Sequence, residues 1–169
     1  MLKSSKSQKS DKSARGNASL FFVAAELCRR DLVALVTVGN TPNTDILCSN
    51  KEGTKFVHIQ VKTFIPGNRT VSVGRKAEKN YGKSFIWVLA GIPTKNQRAE
   101  FVYYVIPSSE LSQHVSKAHK MWLDAPAKNG EPHKDNDVRT VHLPPYKSVS
   151  GWQIDEYKNR WDIIEDLLS

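Results

Sequence analysis

The stretch TDILCSNKEGTKFVHIQVKT, residues 44–63, reads as two short strands joined by a turn. Side chains along a strand point alternately to opposite faces, and apolar and polar residues alternate after the turn NKEG (50–53). Gly53 can take the positive φ that a tight hairpin turn favours. The spacing predicts strands over roughly 44–49 and 55–63. In the second, Val57, Ile59 and Val61 share one face and suit a core, while His58, Gln60 and Lys62 share the other. The turn brings Asp45, at the start of the first strand, beside the end of the second. One end of the hairpin therefore gathers a carboxylate, a carboxamide and an ammonium group.

Upstream, NASLFFVAAELCRRD (17–31) repeats Leu20, Val23, Ala24, Leu27 and Cys28 at helical spacing. Asn17 is its expected N-cap, and Glu26 falls on one flank of the apolar stripe with Phe22 and Arg29 or Arg30. LVALVTVG (32–39) is a β-branched run suited to a buried strand, and NTPN (40–43) is turn chemistry. Downstream, the basic loop 65–84 holds a short strand at TVSV, and FIWVLAGI (85–92) and EFVYYVI (100–106) read as buried strands. Residues 107–123 read as a helix capped by Ser108 or Ser109, and 124–150 as loop with a short strand at RTVHL (139–143). Ile154, Tyr157, Trp161, Ile164 and Leu168 predict a C-terminal amphipathic helix. This order is that of an α/β sandwich with a mixed central sheet.

The 169 residues suit one domain, and the net charge of +8 favours an acidic partner such as nucleic acid or an anionic membrane surface. Residues 1–15 hold five basic side chains and one acid, so half of that charge lies in a Ser- and Lys-rich stretch expected to be a disordered basic tail, with the domain over 16–169. Cys28 and Cys48 make no zinc or disulfide pattern. His114 and His119, five apart on a helix, do not share a face. The sequence shows no apolar secretory core and no membrane-length apolar run, so the expected setting is reducing and cytoplasmic.

Phosphodiester hydrolysis needs oxygen ligands for a divalent cation and a positive group near the attacked phosphorus. Mg²⁺ prefers an octahedral oxygen shell and keeps several waters. Asp45, the Gln60 side-chain oxygen and the Val61 main-chain carbonyl offer part of such a shell. Lys62, facing the same way as Gln60, can orient water or stabilise developing negative charge.

PNTDIL (42–47) followed by IQVKT (59–63) resembles the core of the PD-(D/E)XK nuclease superfamily, which includes type II restriction enzymes and Holliday-junction resolvases. The resemblance covers residues 17 to about 92. It implies a restriction-endonuclease-like α/β/α sandwich and Mg²⁺- or Mn²⁺-dependent cleavage of DNA. Asp45 would be the metal-binding aspartate and Lys62 the motif lysine. Gln60 takes the (D/E) position, and Glu26, in AAEL (24–27), would be the helical acid that joins the metal. Glutamine removes one negative charge there, which gives Glu26 more weight as the second carboxylate. A restriction or resolvase role further implies a homodimer making paired cuts.

Arg69, Arg75, Lys76 and Lys79 in the basic loop are candidate phosphate contacts. Tyr81, Trp87, Tyr103 and Tyr104 lie in apolar surroundings and are expected to pack in the core. Two readings stand side by side: a metal-dependent DNA endonuclease, and a catalytically weak or inactive module of the same fold that binds nucleic acid or a protein partner.

Overall fold

The computed structural model describes residues 12–38 and 41–169. Its centre is a five-stranded sheet built from β1 (Val33–Val36), β2 (Ile46–Ser49), β3 (Phe56–Phe64), β5 (Phe85–Gly91) and β6 (Val102–Pro107), in the order β1-β2-β3-β5-β6. β1, β2 and β3 run antiparallel, β3 and β5 pair in parallel, and β5 and β6 return to antiparallel. A second sheet pairs β4 (Thr70–Ser72) with β7 (Thr140–His142), the short strands expected at TVSV and RTVHL. Three helices, α1 (Lys12–Cys28), α2 (Ser108–Asp124) and α3 (Asp162–Leu168), complete a mixed α/β sandwich.

The period-2 alternation of β3 decides which layer each side chain enters. Val57 and Ile59 face α1 and α3, where Val23, Leu27, Ile164 and Leu168 close one core. Phe64, Trp87 and Leu89 lie in the opposite core, closed by Leu111 and Val115 of α2 and by Val71 and Val141 of the small sheet. Every residue of β5 is buried, as expected of a central strand covered on both faces. No described helix is long and apolar enough to cross a membrane.

Four local expectations change. α1 starts at Lys12, so it runs through the expected cap at Asn17 and into the segment expected to be tail; residues 1–11 of that tail lie outside the described residues. β1 is an edge strand rather than a buried one. Leu35 is 56% exposed and only Ala34 and Val36 turn toward the core, because β-branched content does not reveal how many neighbours a strand has. Pro107 precedes α2 without a side-chain cap, and the Ser108 hydroxyl instead accepts the Tyr81 N–H at 2.9 Å. The C-terminal apolar residues are buried as expected, but Asn159, at φ 54°, divides the segment into a 3-10 turn (Asp155–Tyr157) and α3.

Candidate active site

β2 is shorter than β3, and that inequality makes the site. The last rung between them joins Ile46 to Ile59, while β3 continues to Phe64. Asp45 stands just beyond the rung. Its N–H donates to the Ile59 carbonyl at 2.9 Å, and its own carbonyl accepts the Thr37 N–H at 3.0 Å. With its backbone held between β1 and β3, Asp45 extends its carboxylate along the uncovered edge of β3. Oδ2 accepts the Val61 N–H at 2.8 Å and a second hydrogen bond from Gln60 Nε2. The Val61 N–H and C=O point to the same edge of the strand, so the Val61 carbonyl also lies on the Asp45 side. The preceding turn is pinned by Thr37 Oγ1, which donates to the Thr44 carbonyl at 2.6 Å, and by the Thr44 hydroxyl, 3.1 Å from His58 Nδ1.

Asp45, Gln60 and Lys62 line one cleft of about 810 Å³. Trp87 lines it too, being the β5 partner of Gln60 and on the same sheet face. Gly74, Arg75 and Lys76 line it as well, together with Asp137. Gly74 has φ 74°, which lets the chain leave β4 and enter the 3-10 turn Arg75–Glu78. The loop behind it is stitched down by main-chain bonds: the Val73 N–H to the Arg139 carbonyl at 2.9 Å, and the Arg75 N–H to the Asp137 carbonyl at 3.1 Å. Lysine and arginine thus line the same cleft as the carboxylate end of the hairpin.

Glu26, expected among the metal ligands, does not line this cleft. Arg29 grips its carboxylate with bonds of 2.7 and 3.0 Å, and Arg30 adds one of 2.9 Å. The hydrogen bond from Arg29 is the main reason its carboxyl lies below the ordinary glutamate range. α1 meets the motif strand through Val23 and Leu27, and also through Ser19, a buried residue whose hydroxyl lies 2.5 Å from Thr63 Oγ1 and donates to the Gly16 carbonyl. Ser19 and Glu26 are seven residues apart, nearly the same helix azimuth but about 10 Å along the axis. α1 packs on the Val57–Ile59 face of the sheet, with Ser19 against Thr63 on that same face, whereas the cleft lies on the Gln60–Trp87 face. The signal for Ser19 was a small polar residue four before Val23, at the margin of an otherwise apolar stripe.

Of the basic loop, Arg75 and Lys76 reach the cleft. Arg69 instead lies 4.9 Å over the Tyr146 ring, and Lys79 5.1 Å over Tyr81. Trp87 and Tyr104 are buried in the core, with Tyr81 packed against it, as expected, and Tyr103 packs edge-on to Trp161.

The residues that could hold a divalent cation are Asp45, through the oxygen its two hydrogen bonds leave free, the Gln60 side-chain oxygen and the Val61 carbonyl. All are hard oxygen donors, which suits Mg²⁺ or Mn²⁺ with most of the shell left to water. No cluster of three or more His, Cys, Asp or Glu side chains able to hold a metal occurs among the described residues.

No protein-family model matches the sequence, and no curated protein matches it. Among solved structures, the chain resembles a bacterial homing endonuclease, I-Ssp6803I, with a TM-score of 0.53 and 13% identity over 92% of this chain and 94% of the other. At that identity the likeness is one of fold: the chain has an α/β, nuclease-like architecture over nearly its whole length.

Proposed function

We propose that the chain is a divalent-metal-dependent endonuclease of the PD-(D/E)XK type that hydrolyses DNA phosphodiester bonds. The observation that carries this reading is the meeting of Asp45, Gln60 and Lys62 in one cleft that Arg75 and Lys76 also line. The nuclease-like fold supports it. Asp45 and Gln60, with the Val61 carbonyl, would hold Mg²⁺ or Mn²⁺. A bound cation would supply Lewis-acid polarisation of a phosphoryl oxygen and lower the pKa of a water. Lys62 orients the attacking water and offsets negative charge as it builds on the phosphoryl oxygens. Arg75 and Lys76 hold the DNA backbone in the cleft, contacts that position the substrate without reading its sequence. Hydrolysis forms one P–O bond from water and breaks the bond to the leaving sugar oxygen, which takes up a proton.

Incubating DNA with the protein and Mg²⁺ tests the reading. Cleavage should vanish in EDTA and fall at least about a hundredfold in Asp45→Ala and in Lys62→Ala, both still folded by circular dichroism. Undiminished cleavage by either variant rejects the assignment. Paired cuts would need a second copy of the chain, which sedimentation on a DNA duplex would reveal. One observation favours a second reading, a module that binds without cutting: Gln60 carries no charge, and Glu26 is committed to Arg29 and Arg30. That module would bind duplex equally well with and without Mg²⁺ and leave it intact.

A further inference from the structure

Arg75, which lines the same cleft as Lys62, is embraced by two carboxylates of the loop before β7. Its Nη1 lies 3.4 Å from Asp137 Oδ1 and its Nη2 3.6 Å from Asp135 Oδ2. The two acids are anchored very differently. Asp135 Oδ1 accepts from His119 Nε2 at 2.8 Å, from the Asn136 N–H at 2.8 Å and from Arg139 at 3.3 Å. Arg139 is 3% exposed and is itself fixed by Glu78 at 2.6 Å and by the Asn136 and Val138 carbonyls. Asp135 therefore belongs to a braced network and cannot follow Arg75. Asp137 is the opposite case. Its side chain is 87% exposed, and among the described residues its one side-chain partner is Arg75.

We propose that Asp137 is a built-in phosphate mimic, which holds the Arg75 guanidinium at the cleft wall and gives it up to a phosphodiester of the bound nucleic acid. This deepens, and rests on, the reading of the cleft as a nucleic-acid site. Guanidinium presents a planar fork of donors that fits the oxygens of a carboxylate or a phosphate equally well. An ion pair between exposed groups is weak and readily exchanged, so the phosphate meets an arginine already in place rather than one that must be ordered from a freely moving ensemble. The arrangement also discriminates. An anion that engages Arg75 must displace Asp137, so a stray phosphate gains less than a polymer seated along Lys62, Lys76 and Arg75 together. Asp135, which stays behind, fixes the direction from which the guanidinium is approached.

Four proteins separate this clasp from plain repulsion: the wild type, Asp137→Asn, Arg75→Gln and the double variant, each titrated with a short DNA duplex in EDTA so that no cleavage intervenes. Asp137→Asn should tighten binding about three- to fivefold, and Arg75→Gln should weaken it while reducing the salt slope by about 1. In the Arg75→Gln background the Asp137 change should alter affinity less than about twofold, because the competitor has nothing left to compete for. Equal tightening in both backgrounds would show a general repulsion and overturn the clasp, leaving the nuclease reading intact. Weaker binding by Asp137→Asn overturns it as well. A wild type that neither binds duplex nor cuts it with Mg²⁺ defeats the nuclease reading, and the clasp with it.

Discussion

At Gln60 a carboxamide stands where the resembled motif has an acid, and its Nε2 donates to Asp45. That bond holds the Asp45 carboxylate in place without help from a cation. Gln60→Glu would remove the donor and set two carboxylates side by side, which costs about 1–3 kcal/mol in the metal-free protein. The same change adds charge to the proposed divalent site. The expected result is a melting temperature several degrees lower in EDTA, with a larger rise on adding Mg²⁺ than the wild type shows. A drop that Mg²⁺ does nothing to repair would remove Gln60 from the metal site. A second residue-scale contrast lies in the two thiols. Burial, the larger effect, and the nearby Cys28 push Cys48 from 9.0 up to about 11, whereas Cys28 is exposed. At pH 8 a thiol reagent should therefore label one cysteine in the folded protein and two in guanidinium. Because the folded pKa is the higher one, the stability tied to the neutral Cys48 thiol is fully present below pH 9 and lost as pH rises toward 11.

Elements place these residues, and here some assignments could be read from sequence and others could not. The face parity of β3 was readable because a two-residue period leaves no choice: once Val57 and Ile59 are core, Gln60 and Lys62 must share the other side. Its meeting with Asp45 followed from the turn. The sheet face that α1 covers was not readable, since helical periodicity gives azimuth but not which side of a sheet the helix packs on. Arg139 and Asp137 were missed for a different reason, lying more than fifty residues from the basic loop they hold, in a stretch with no periodic signal. If Glu26 belongs to the Arg29–Arg30 cluster, Glu26→Gln should leave cleavage within about twofold of wild type, while removing stability present above pH 4.5 and lost as pH falls below it. A hundredfold loss of cleavage would return Glu26 to the site. The junction of β5 with its neighbours is tighter still. A Cβ on Gly91 would fall 2.5 Å from Val102 Cγ1 and 2.7 Å from the Phe64 ring, so Gly91→Ala should cost about 1–3 kcal/mol in urea melts.

For the molecule as a whole, the question is where its charge acts. Residues 1–11 carry three lysines against Asp11, and the segment from Lys12 onward holds most of the net +8. Since α1 begins at Lys12, removing residues 1–11 spares the helix that packs on β3. Each phosphate neutralised by a cation contributes about 0.9 to the slope of log affinity against log salt on duplex DNA. The truncation should therefore lower that slope by no more than about 3, and the contacts from Lys62, Arg75 and Lys76 should persist. Cleavage with Mg²⁺ should persist with it, at a higher DNA concentration for half-saturation and an unchanged limiting rate, because the groups proposed to act on the phosphodiester all line the cleft. A truncated protein whose affinity no longer responds to salt would show that the N-terminal lysines had done the binding. The cleft would then be an acidic-edged hairpin facing a solvated basic turn, and Asp45, Gln60 and Lys62 would have no substrate to act on.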